Sequence, residues 1–232
     1  MPWPAIGENL AKGIGTNRDT SSWFKNILHR GLYLKSLGGQ DEPCGACRGA
    51  RDTWAHLWCC PTFEPLWSNM VELANTLLPY EGGKPQASYC AKFVFLGVLE
   101  NGHTLPRSMA LLHMLMWKFV IQDLMEKSQN AHYIIDASKT STRALRRYMT
   151  RINAQLKEAQ KRILRARPRG LKVDLKVINK RLSPIAMLSE SGEEIIWENN
   201  MRRWLQATGA IDTENYPEDP PGDRPDDDIG GH

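Results

Sequence analysis

Apolar residues recur at helical spacing over most of this chain, while the polar faces between them differ sharply in charge. Phe63, Leu66, Trp67, Met70, Val71 and Leu77 mark one face of a helix, and Pro61 suits its first turn. Upstream, Asp19 or Thr20 suits the cap of a helix running through Trp23, Phe24, Ile27 and Leu28 into Leu32. A break at Pro79 to Pro85 centres on Gly82 and Gly83, and a second turn covers Gly102 to Pro106. Between them, Ala87 to Leu99 is apolar. Phe93-Val94-Phe95 has strand character, but length and neighbours predict a helix.

Ser108 to Lys127 is apolar on nearly all sides, from Met109, Leu111 and Leu112 to Ile121, Leu124 and Met125. Such a helix has to be buried by neighbours or by a partner. His113, Lys118, Gln122 and Asp123 exclude it as a bilayer span. His113 is expected as a hydrogen-bonded core or edge histidine. Ser141 to Arg167 then carries Leu145, Met149, Ile152, Leu156, Ala159, Ile163 and Ala166 in steps of four and three, a heptad seam. The seam predicts pairing either with the preceding apolar helix or with a second copy, a homodimer through residues 145–166. Pro184 to Trp197 reads as a β-hairpin turning at Glu190 to Glu193. Asn199 or Asn200 would then cap a short helix through Trp204 and Leu205 that Gly209 stops.

Four of the five cysteines fall in one stretch, Cys44, Cys47, Cys59 and Cys60, with His56 among them. Read as C-x2-C-x8-H-x3-C, the stretch has the ligand types and close pairs of a tetrahedral zinc site. The predicted ligands are Cys44, Cys47, His56 and Cys60, with Cys59 as a second candidate for the fourth position. Gly45 would let the first pair curl back, and Gly49 would free its exit. Buried free thiols, a redox CxxC pair and a disulfide are competing readings. Chance recurrence of CxxC beside a His and a third Cys is rare, no βαβ pattern surrounds the motif, and the first twenty residues lack a signal peptide. Zinc leads.

Charge changes the picture further along. Glu126 to Arg181 holds sixteen Lys and Arg against four acids, a net +12, whereas Leu182 onward holds three against twelve, a net −9. The formal net charge of +4 therefore conceals a basic helical arm and an acidic tail. Dense cations on a helix suit phosphate backbones, where each neutralised phosphate releases counterions. Arg143, Arg146, Arg147, Arg151, Lys161, Arg162, Arg165 and Arg167 are the candidate contacts to RNA or DNA. A merely solvated helix face is the competing reading.

The zinc stretch also resembles a known family. Asp52, Thr53, His56, Cys60 and Pro61, followed by Phe63, Leu66 and Trp67, look like the zinc-binding segment of reverse transcriptases from non-LTR retrotransposons. That segment shows CxxC, an acidic-Thr-x-x-His step, Cys-Pro and a downstream Leu-Trp. Ile27 to Tyr33 is similar to its lead-in helix, so the resemblance covers about residues 20–78. The family more often has four residues between His and Cys. Cys60 rather than Cys59 keeps Pro61 and Trp67 in its register. The resemblance implies the C-terminal part of such a protein without the polymerase.

No Tyr-x-Asp-Asp step holds polymerase metals, and Asp226 to Asp228 lie in a Gly- and Pro-rich tail. Pro225-Asp226 mimics the start of an endonuclease motif whose remainder does not follow. Walker, G-x-S-x-G and HExxH motifs are absent too. The expectation is a mostly α, non-enzymatic, intracellular protein of nucleus or cytoplasm. It would comprise a flexible arm (1–18), a Cys3His zinc module (19–80) and a helical region with the basic heptad helix (86–182). A hairpin and short helix (183–210) and a disordered acidic tail (211–232) complete it. A coiled-coil interaction module without nucleic-acid binding, or a retroelement remnant without function, is the alternative.

Overall fold

The computed structural model describes residues 43–49, 54–78, 80, 82–166, 168, 173–192 and 194–207. The arm, the helix expected from Asp19 to Leu32, Arg167 and the tail from 211 lie outside the described residues. Seven helices and one hairpin follow among the described ones: α1 (Trp54–Leu57), α2 (Glu64–Leu77), α3 (Ala91–Leu96), α4 (Arg107–Gln129), α5 (Ala137–Ala166), α6 (Leu175–Leu182), β1 (Ala186–Leu188), β2 (Ile195–Trp197) and α7 (Asn199–Ala207). The protein is mostly helical, as its periodicity predicts. No described helix is long and apolar enough to cross a membrane.

The centre is α4, whose Met109, Leu111, Leu112, Leu115, Met116, Trp117 and Val120 are all fully enclosed. It can be apolar all round because α5 packs along it, α6 crosses it, and the aromatic side chains of α2 and α3 close the remaining side. Trp117 packs at 4.9 Å from Trp67 of α2 and stacks at 5.4 Å on Phe95 of α3. Trp117 Nε1 donates to Val94 O at 2.6 Å, and His113 Nε2 lies 3.0 and 2.8 Å from Phe93 O and Val94 O. Carbonyls only accept, so His113 carries its proton on Nε2. Both side chains reach Val94 O, a carbonyl near the end of so short a helix, while Phe93 O also accepts from Gly97 N at 2.8 Å.

The helix expected over Ala87–Leu99 is thus only six residues long. Both its ends are fixed by tertiary contacts. Asn75 of α2 holds Ala87 extended, donating to its carbonyl at 2.9 Å and accepting from its N–H at 2.8 Å. Gly97 ends the helix at φ 62°, where a Cβ would approach Leu105 Cδ1 at 3.1 Å, and Val98 bridges Thr104 instead of continuing it. The start of α2 also differs from the expectation. Pro61 lies in the preceding turn, and Pro65 occupies the first helical turn.

The basic helix begins four residues before the expected Ser141, because Asp136 Oδ1 accepts from Ser138 N at 2.9 Å and Lys139 N at 3.2 Å. Leu145, Met149, Ile152, Leu156, Ile163 and Ala166 of the seam are buried and Ala159 is half-buried. The seam lies against α4 and α2 of the same chain. Its apolar positions are therefore already covered within one copy.

The hairpin pairs Ala186 with Trp197, Met187 with Ile196 and Leu188 with Ile195, as expected. Ahead of it stands α6, a helix the periodicity does not announce. Asp174 caps it through Lys176 N at 2.9 Å, and its Asn179 clasps Leu188 through bonds of 2.8 and 3.1 Å. The cap of α7 is Glu198, whose carboxylate accepts from Met201 N at 2.8 Å. Asn199 and Asn200, the expected caps, fall inside the helix. One continuous core runs from Cys44 to Met201.

Candidate metal centre

Cys44 and Cys47 sit in a tight turn, His56 on α1, and Cys60 just ahead of the three-residue turn that leads into α2. The backbone shapes the turn with Arg48 N donating to Cys44 O at 2.8 Å, and Arg48 takes the left-handed conformation at φ 57°. Gly45, expected to supply that reversal, has no positive φ. Gly49 has a different use: its N–H points at Cys47 Sγ, 3.4 Å away. The N–H groups of Ala46 and Cys47 point likewise at Cys44 Sγ, and that of Thr62 at Cys60 Sγ. Backbone donors aimed at sulfur favour thiolates, the form a metal binds.

The Sγ atoms of Cys44, Cys47 and Cys60 and a ring nitrogen of His56 all lie within 4.8 Å of one another. Cys44 Sγ is 3.9 Å from Cys60 Sγ, and Cys47 Sγ is 3.2 Å from His56 Nε2. A tetrahedral ion with metal–sulfur bonds of about 2.3 Å requires sulfurs about 3.8 Å apart. The four donors thus lie close enough to hold one metal ion. All the cysteines are free thiols, and 3.9 Å is far beyond a sulfur–sulfur bond. Cys44 and Cys60 are buried, Cys47 and His56 half-buried.

Cys59 turns away from this group. It is exposed, and its thiol donates to His56 O at 3.3 Å. The choice left open by spacing falls to Cys60. A hydrogen bond from the Cys60 thiol lowers Cys44, while the same bond and burial push Cys60 up.

Neighbours lock the ligand-bearing turn. Phe63 N and Glu64 N donate to Cys60 O at 2.9 and 3.0 Å, coupling the fourth ligand to the first turn of α2. Tyr89 donates to Trp58 O at 2.8 Å, with its ring 5.9 Å from that of Trp58. Burial, and then Glu64, raise this tyrosine to about 12. No motif in the sequence announces Tyr89 as a support of the turn. No protein-family model matches the chain, and neither a curated protein nor a solved structure does.

The candidate phosphate contacts separate into groups. Arg146, Arg147, Lys161, Arg162 and Arg165 are exposed on α5, and Arg151 is half-buried. Arg162 pairs with Glu158 at 3.3 Å. Arg143 differs from the expectation, because its guanidinium is committed to the carboxylate of Asp123 and lies 5.1 Å over the Phe119 ring. Asp123 is 1% exposed and also accepts from Thr140 and, at 2.7 Å, from Tyr133. A buried carboxylate needs such a counter-charge, so Arg143 pins α5 to α4.

Proposed function

We propose that this chain is a non-catalytic zinc protein that binds nucleic acid, related to the C-terminal part of non-LTR retrotransposon reverse transcriptases without their polymerase. The observation that carries the reading is the Cys3His cluster. Three sulfurs and one imidazole nitrogen form a donor set that suits Zn2+, and the spacing of the sulfurs fits its bond length. Zinc held by Cys44, Cys47, His56 and Cys60 would have four protein ligands and no open position for water. Its contribution is structural: it ties the Cys44–Cys47 turn to α1 and to the start of α2. The nucleic-acid role rests on α5, which carries nine Lys and Arg against the single acid Glu158.

Elemental analysis of protein purified without added metal tests the first half, with one zinc per chain expected. Fluorescence anisotropy with labelled nucleic acid at about 50 and about 200 mM salt tests the second, where binding should weaken steeply with salt. A metal-free protein, or one that binds no nucleic acid at the lower salt, overturns the corresponding half.

A further inference from the structure

We infer that the exposed face of α5 is a docking surface for double-stranded nucleic acid, gripping phosphates on both sides of a groove without reading bases. This deepens the nucleic-acid reading above and rests on it. At about 100° per residue, Arg146, Arg147, Lys157, Lys161 and Arg165 fall within one sector about 100° wide, opposite the buried seam. All five are exposed.

They form two groups, Arg146 with Arg147 and Lys157 with Lys161 and Arg165. The gap between the groups is about 15 Å at a rise of 1.5 Å per residue. Thr150 and Ala154 occupy it, exposed and short. The major groove of B-form DNA is about 12 Å wide between its phosphate walls, so the two groups match its two rims. The short residues between them let the helix approach, with half-buried Arg151 and Asn153 at the edges of the face.

Single-stranded nucleic acid is bound on aromatic platforms that stack its bases. The one aromatic residue of α5, Tyr148, is fully buried. The face therefore offers charge without stacking. The helix is also packed against α4 and α2, so its cations form a fixed line that suits a stiff duplex better than a flexible strand.

The test uses the full chain with a DNA duplex of about 20 base pairs, an RNA duplex of that length, and a non-self-complementary single strand of the same sequence, over a salt series. Duplex should bind at least tenfold tighter than single strand at equal salt, with affinity unchanged when the sequence is shuffled. With five cations engaged, the logarithm of affinity should fall against that of salt with a slope of about −4.5 on DNA. The DNA duplex should bind the tighter, because the A-form major groove of RNA is too narrow for this spacing, and tighter binding to the RNA duplex overturns the groove match.

Replacing Lys157, Lys161 and Arg165 together by Glu should lower duplex affinity at least 100-fold. The single change Lys161→Gln should reduce the slope by about one. Unchanged circular dichroism shows that both variants fold. Equal or tighter binding of the single strand, a tenfold response to shuffling, or a triple variant that binds normally overturns the docking surface but leaves nucleic-acid binding standing. Binding to none of the three probes overturns both.

Discussion

The cysteine cluster and the α4–α5 pair are ordered by different physics, although one core joins them. The cluster stretch has a four-residue helix, two tight turns and few large apolar side chains, and four donor atoms converge on a point. The helix pair has no such focal point. Its order comes from apolar burial along 23 and 30 residues, pinned near one end by Asp123 and Arg143. The metal proposed above would join the donors of the first stretch, whereas the second is stable by area. The boundary between them is α2, whose start is tied to Cys60 and whose Trp67 is packed on Trp117.

The largest expected effect follows from removing a ligand. Cys60→Ser should lower metal affinity by more than about 100-fold, since even loss of a supporting group around a metal costs 10- to 100-fold. Hydrogen exchange should then rise in α1 and the first turn of α2, while α4 and α5 keep their protection. A variant in which all helices lose protection together would show that the two regions do not have separate supports.

Truncation in the seam should do the reverse. Leu145→Ala removes a fully buried side chain and should destabilise the protein by about 2–5 kcal/mol, read from the midpoint of urea unfolding. Metal stoichiometry of the folded protein should not change. Sedimentation of the wild type should show no dimer that depends on this residue, because Leu145 already packs within the chain.

Acid should separate the regions next. Burial lowers His113 to about 4, against an ordinary value of about 6.5. The folded state therefore holds this imidazole neutral, and the unfolded state binds the extra proton between those two values. Stability from this group is complete above pH 6.5 and is lost as pH falls toward 4, by about 3 kcal/mol in all. His113→Gln keeps a donor for the carbonyls of Phe93 and Val94 but cannot titrate. Its unfolding free energy should vary less between pH 6.5 and 4 than that of the wild type. Protonation of the cluster affects both proteins equally, so the difference isolates His113. Identical slopes would refute the burial argument.

What was legible in the sequence follows the same division. Continuous apolar runs reveal α4, and the four-three spacing reveals α5, because burial area is written in residue type. The cluster was legible from ligand chemistry. Several of the misread features depend on contacts outside their own element. Asn75 holds Ala87 outside the helix ahead of α3, and the left-handed Gly97 packed against Leu105 sets where it ends. Asn179 explains α6 through its grip on Leu188, and the charge of Arg143 is consumed by Asp123. Local pattern cannot report such pairings. Glu198 is a different kind of miss, since Asn is the commoner cap and stood one residue later.

The smallest expected effect bears on the sharpest detail. Adjacent cysteines 59 and 60 look alike in composition and spacing, yet the turn after α1 sends their side chains apart. Cys60 Sγ goes inward with a backbone N–H behind it, and Cys59 Sγ goes outward with only a weak bond to His56 O. Cys59→Ser can keep that bond through its hydroxyl, so stability should change by less than about 0.5 kcal/mol, as at ordinary surface sites. Metal content should stay at its wild-type value. Cobalt substitution reads the donors directly, because thiolate-to-cobalt absorption scales with the number of sulfurs bound. Cys59→Ser should retain the full three-sulfur band, and Cys60→Ser should not. If the two variants exchange these outcomes, the turn is wound the other way and the fourth ligand is Cys59.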